Sequence, residues 1–278
     1  MLSKAEIRRA RSELDEHGFT VVPNVLRPQE VADVRQQLLD ACEKSEADEV
    51  PTRGYVFDPD GLNRRVFHLF NLDPIFVDLI QRDIALDFVK HCIGEEFLIS
   101  NFSANITAPG SGAMMLHADQ GYVAAPWPSR PLACNVAWVL DDLTPENGGT
   151  RYVPGSHLLG HGPDPEKTYE TEPIAAPAGS IVVMEGRLWH QSGENRTANH
   201  ERAVLFGYYV LRWLRPQINW NAALWPETIH NLDPEFLHLL GFYTGNVEFQ
   251  IPPGIKAVTR PPDKLVQISD TFVLGNSD

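Results

Sequence analysis

The chain has 278 residues and a formal charge of −14, with 43% hydrophobic and 22% charged residues. Such a composition fits a globular protein with a sizeable core, and no apolar run has the length a bilayer demands. The acidic balance argues against nucleic acid and anionic membrane as partners.

The beginning, Met1-Leu2-Ser3-Lys4-Ala5-Glu6, lacks the apolar segment of a signal peptide. Cys42, Cys92 and Cys134 are scattered and odd in number. They predict a reducing, cytoplasmic setting rather than a disulfide framework or zinc site.

Ser3 and Glu6 read as a capping box, followed by apolar residues at helical spacing and a stop at Gly18. Phe19 to Pro23 predicts a short strand. Pro28 opens a second helix with Val31, Val34, Leu38 and Cys42 on one face. Residues 51–66 read as a long loop of the kind that covers a site. Two helices follow, from Asp73-Pro74 to about Gln81 and from about Ile84 to Ile93.

From Phe97 the texture turns to β. Strands are predicted over 97–107, 132–140, 149–153, 174–176, 181–184 and 202–213, separated by Gly, Pro and Asn turns. Short strands at this spacing suggest a sandwich or double-sheet jelly roll. Helices return after Pro226. The expected organisation is one domain over 1–278: a helical part to about 96, a β core over about 97–215, and an extension over about 216–278.

Within Met114 to Gln120, a strand would turn His117 and Asp119 to one face. An imidazole and a carboxylate there are two thirds of a facial iron site that needs one more histidine. Of ten histidines, His190 stands out, at a strand start after a buried-looking strand and placed to meet His117 across two facing sheets. Arg202 enters the strand over 203–209 and shares a face with Val204, Phe206 and Tyr208. On an internal face an arginine is costly without an anion, and a dicarboxylate would satisfy it.

These pieces resemble the phytanoyl-CoA dioxygenase family of iron(II)- and 2-oxoglutarate-dependent oxygenases. The matching motifs are His117-Ala118-Asp119-Gln120, Asp141 through Arg151 with Glu146-Asn147-Gly148-Gly149, Val153-Pro154-Gly155-Ser156-His157, and Trp189 through Asn195, followed by Arg202. The likeness extends to Arg65 through Phe70 and Arg215 through Trp220.

The resemblance implies a mainly β fold with flanking helices around a double-stranded β-helix core, jelly-roll and cupin-like. It implies iron held by His117, Asp119 and His190, with 2-oxoglutarate and O2 as co-substrates. Arg202 would pair with the distal carboxylate of 2-oxoglutarate, and Thr150 would assist. Asp119 favours hydroxylation over halogenation, because related halogenases leave that position open for chloride. Met114 departs from relatives that carry a glutamine three positions before the first ligand.

Candidate substrate contacts are Tyr55, Phe57, His68, Tyr122 and Trp127, with 51–66 and 121–130 as lids. The expected substrate is a small apolar metabolite, natural-product-like or acyl. The C-terminal segment 216–278 is expected to cap the site or form a homodimer contact. Two alternatives compete: a cupin-like metalloenzyme without 2-oxoglutarate, and a non-catalytic β-sandwich binding module.

Overall fold

The computed structural model describes residues 3–56, 58 and 60–242. Helix α1 (Lys4–His17) begins on the predicted box: Ser3 N donates to Glu6 Oε2 at 2.6 Å, and Glu6 N returns a bond to Ser3 Oγ. It ends at Gly18, whose φ of 78° is the left-handed cap. Strand β1 (Phe19–Val22) and helix α2 (Pro28–Ala47, proline in its first turn) follow as the pattern predicts.

Strand β2 (Asn63–Val66) was not foreseen; it lies inside the stretch read as loop. Its charged residues concealed it. Arg64 Nη2 donates to Glu201 at 2.8 Å and Arg65 forks onto Asp58, so both charges are paired on an edge strand.

Helices α3 (Pro74–Ile80) and α4 (Asp83–Ile93) precede strand β3 (Phe97–Thr107). Then come β4 (His117–Ala118), β5 (Ala133–Val139), β6 (Thr150–Tyr152), β7 (Glu172–Pro173), β8 (Ile181–Glu185), β9 (Trp189–Ser192) and β10 (Arg202–Leu211). Short helices α5 (Trp220–Ala223), α6 (Pro226–Asn231) and α7 (Pro234–Leu239) complete the described chain. The predicted strand at 174–176 is reduced to an isolated bridge, Leu143 to Ala176. Most of the segment expected to cap the site or pair with a second copy lies beyond residue 242, outside the described residues.

The strands form two sheets, ordered β1-β8-β5-β10-β3-β2 and β4-β9-β6-β7, every pairing antiparallel. Together with the flanking helices this is the mainly β, jelly-roll architecture expected. Alternation divides the larger sheet into two faces. Cys134, Val136, Trp138, Ile181, Val183, Ala203 and Leu205 pack with Leu14, Leu38, Phe76 and Phe88 from the helices. Ala137, Val139, Val182, Met184 and Val204 turn the other way, toward Leu143, Ile174 and Leu188. Each fully buried Phe or Leu contributes about 1.5–3 kcal/mol of transfer free energy. The helical layer therefore holds the sheet rigid from behind, and its inner face is left free to carry chemistry.

Candidate active site

That inner face is polar where the two sheets meet. His117 and His190 are direct register partners between β4 and β9, in one sheet. They do not meet across two facing sheets, as the sequence suggested. Antiparallel partners put their side chains on the same face, and the two rings lie with centroids 4.5 Å apart.

Asp119 arrives differently from the expected strand alternation. β4 ends at Ala118, and Asp119 opens a 3₁₀ turn through Tyr122. That turn is pinned by Gln120 N to Gly186 O at 2.7 Å and by the Tyr208 hydroxyl donating to Asp119 O at 2.9 Å. Upstream, Gly110 N bonds Asn195 O and Met114 N bonds Ser192 O, so residues 110–118 run alongside β9 into position.

The result is a compact donor set. Asp119 Oδ1 is 3.7 Å from His117 Nε2 and 3.9 Å from His190 Nε2, and the three donor atoms all lie within 4.8 Å of one another. Both imidazoles are oriented identically: Nδ1 of His117 contacts Met115 O at 3.0 Å, and Nδ1 of His190 contacts Leu188 O at 3.0 Å. A carbonyl can only accept, so each Nδ1 carries the proton and each Nε2 offers a lone pair inward. Burial first, and then the neighbouring His190 ring, push His117 down to about 4, which keeps it in the neutral, ligating form. Asn135 Nδ2 donates to Asp119 Oδ2 at 2.9 Å, leaving Oδ1 directed at the imidazoles. Two nitrogens and one carboxylate oxygen in this arrangement suit a divalent iron with open positions.

A cavity of about 140 Å³ adjoins the three residues, and Thr150, Asn105, Phe206 and Tyr208 are on its wall. One same-face position along the strands beyond the cavity-lining Asn105 and its partner Val204 lies Arg202. Arg202 is 0% exposed. Its Nη2 donates to Thr107 Oγ1, while Nε and Nη1 are buried with no partner. Burial without a full counter-charge lowers its pKa to about 10, Arg65 adding repulsion and Asp141 offsetting part of it. Asp141 is itself engaged by Arg35 and the backbone N–H of Ala203.

The block between the ligand segments is a brace. Asn147 accepts from Thr144 N and donates to Asp142 O, and Gly148 takes φ 76°. A methyl at Gly148 would come within 2.8 Å of Gly193 O, and one at Gly149 within 2.7 Å of Thr144 O. Ser156 Oγ accepts from Trp189 N at 2.9 Å, fixing β9 beside its ligand.

The candidate substrate residues divide. Trp127 packs with Ala118 and Trp189, whose side chains point away from His117 and His190, so it belongs to the reverse face of the sheet and not to the cavity. Its indole N–H is spent on Val123 O. Tyr122, 51% exposed, does not line the cavity, although its hydroxyl lies near that of the cavity-lining Tyr208. Tyr55 stacks edge-on with Phe67, and His68 begins a 3₁₀ turn with φ 55°; neither lines the cavity. Phe57 lies outside the described residues.

Sequence reasoning passed over Asn135 and Tyr208. The signal for Asn135 was present: an amide in the middle of the otherwise apolar run Ala133 to Val139, where a buried polar side chain demands a partner.

The profile of the phytanoyl-CoA dioxygenase (PhyH) family matches residues 14–204. The chain belongs to the phytanoyl-CoA dioxygenase family. Within that family it is 42% identical over 234 residues to "Dioxygenase af480" of Aspergillus fumigatus, covering 83% of this chain and 75% of that protein. It is 27% identical to "Dioxygenase trt7" of Aspergillus terreus, with 71% of each chain covered. Among solved structures, HygX from Streptomyces hygroscopicus, with nickel and 2-oxoglutarate bound, superposes with a TM-score of 0.60 at 18% identity, over 78% of this chain and 90% of that one. The epimerase SnoN, in complex with Fe3+, alpha ketoglutarate and nogalamycin RO, gives 0.61 at 20% identity, over 77% and 88%. Both share the fold. This phytanoyl-CoA dioxygenase family chain is an iron- and 2-oxoglutarate-dependent dioxygenase.

Proposed function

We propose that the protein oxidises a small, largely apolar metabolite with His117, Asp119 and His190 holding iron(II) and with Arg202 and Thr150 holding 2-oxoglutarate. The observation that carries this reading is Arg202: two guanidinium nitrogens buried without a partner, on the β10 face that also carries the cavity-lining Phe206 and Tyr208. Each unsatisfied buried donor costs about 1–3 kcal/mol, more when charged, and a carboxylate forked onto Nε and Nη1 removes that cost.

Bound iron supplies the redox chemistry: one oxygen atom of O2 enters succinate as 2-oxoglutarate loses CO2, and the other enters the substrate's C–H bond. The chain's own groups do the positioning. The Met115 and Leu188 carbonyls hold the two Nδ1 protons, and with them the ring orientations. Asn135 fixes which carboxylate oxygen of Asp119 faces inward. The helix-backed sheet keeps the inner face rigid, Asp58 accepts from the cavity-lining Arg65, and Asp60 Oδ2 accepts from Gly112 N at 2.6 Å. Among the described residues no helix is long and apolar enough to cross a membrane; the cytoplasmic setting rests on the scattered cysteines.

A cupin-like enzyme that used the triad without a dicarboxylate would leave Arg202 unpaired throughout its cycle, which the orphaned donors argue against. The deciding experiment is oxygen-dependent succinate formation from 2-oxoglutarate with iron(II), screened over apolar metabolites. Absence of succinate with every compound, together with no thermal stabilisation by iron(II) plus 2-oxoglutarate, would refute the proposal.

A further inference from the structure

The substrate's chemistry can be narrowed from the cavity wall, and the narrowing rests on the reading just given. Strand β3 carries Asn101, Ser103 and Asn105 at alternate positions, all three lining the cavity. Asn105 lies toward Arg202. Asn101 lies at the other end, in the register row of Tyr208 and Asn135. Two strand spacings separate Asn101 from Asn135, roughly 10 Å across the sheet. A group held at Asn101 is therefore level with the triad but to one side of it. A co-substrate running along the strands from Arg202 to the triad does not meet it.

Asn101 is built to meet something. Its Nδ2 donates to Gln217 Oε1 at 3.1 Å, while its Oδ1 is buried with no partner. Gln217 lines the same cavity from an exposed position at the mouth. Its backbone is latched to β3: Gln217 N donates to Ser100 Oγ at 2.9 Å, Ile218 N to Ser100 O at 3.0 Å, and the Trp220 indole to Ile99 O at 2.7 Å. The amide pair is thus held by rigid structure before any ligand arrives, as a specificity element should be. A buried acceptor left unmet is the kind of group that rejects an analogue lacking its donor.

We infer that Asn101 and Gln217 form a subsite for an alcohol on the substrate: an apolar skeleton that already bears a hydroxyl, which donates to Asn101 Oδ1 and accepts from the Gln217 amide. The reaction that supplies the substrate is then one that leaves an oxygen on that skeleton, and this enzyme oxidises a different carbon, held over the triad.

The test uses decalin and 2-decalol, a bicyclic hydrocarbon and its alcohol, with binding to the full chain followed by ligand-observed NMR. It is run on the metal-free protein and again with iron(II) and 2-oxoglutarate. Wild type is expected to bind the alcohol at least tenfold tighter than the hydrocarbon. Asn101→Ala and Gln217→Ala should each lose most of that preference while keeping wild-type affinity for 2-oxoglutarate. Gln217 is exposed and outside the sheets, so its variant reports even if Asn101→Ala fails to fold. No preference in wild type, or an unchanged preference in Gln217→Ala, would overturn the inference. Because binding is read without turnover, a preserved preference with no succinate from any compound would count against the oxygenase reading and leave the subsite standing.

Discussion

His117 and His190 face each other as register partners of β4 and β9, and each rests its Nδ1 on the carbonyl two residues before it. One local conformation is thus used twice, at points far apart in the chain, to present two inward lone pairs. Replacing His190 with alanine removes one of them. Iron retention after gel filtration, measured by metal analysis, should fall from stoichiometric to background; full occupancy in the variant would remove His190 from the ligand set.

Asn135 acts on the donor set through Asp119, to whose Oδ2 its amide donates. Asn135→Ala should weaken iron binding about 10–100-fold, the usual effect of losing a partner that orients a ligand. The melting temperature of the metal-free protein should change little, since the side chain is half spent: its own Oδ1 has no partner. Titration with iron(II) under anaerobic conditions reads the affinity directly.

Arg202 costs the empty protein stability. Its pKa is lowered from the usual guanidinium range to about 10, chiefly by burial, a penalty on the order of 3 kcal/mol at neutral pH. The sign follows from proton count: above about 10, and until the unfolded guanidinium also titrates, the unfolded chain binds the extra proton, so stability rises with pH there, and the full penalty stands below about 10. Arg202→Met should therefore raise or preserve the unfolding free energy of the empty protein. It should also raise the KM for 2-oxoglutarate at least 100-fold and leave iron affinity alone. An unchanged KM would mean that another residue anchors the co-substrate.

Glu30 closes the first turn of α2. Its carboxylate accepts from Arg27 N at 2.9 Å and from Arg82 at 2.7 Å, and the bonds to Arg27, backbone first, lower its pKa to about 2. A depressed carboxylate adds stability that is present above about 4.5 and disappears as pH falls through 2. Glu30→Gln should cost about 1 kcal/mol at pH 7, the scale of a capping interaction. The difference from wild type should shrink as pH falls from about 4.5 and vanish only below about 2, as read by urea unfolding across the acid range.

Local chemistry was the legible part of the sequence. Ser3 with Glu6, Gly18, Pro28 and Asp73-Pro74 each announce a helix end, because a capping bond or a fixed φ depends only on near neighbours. The triad and Arg202 were readable because their spacing matches a family pattern. What the chain order could not convey was mutual placement. Nothing in it says that β4 and β9 are neighbours in one sheet, or that β4 stops at Ala118 so that a 3₁₀ turn delivers Asp119. Trp127 has the composition of a pocket residue, and only sheet parity sends it to the back with Trp189. β2 was hidden because Arg64 and Arg65 resemble loop residues until Glu201 and Asp58, distant or across a turn, neutralise them.

The brevity of β4 has a consequence for how the molecule breathes. Two residue pairs are a slender seam, and the ion proposed to sit among His117, Asp119 and His190 would rivet that seam from the inside, much as a covalent cross-link shortens a long loop of the denatured chain. Amide hydrogens of residues 114–122 should then exchange with deuterium fastest when a chelator has stripped the protein, and slow on reloading, while those of β5 and β10, clamped by helices behind, keep the same pace throughout.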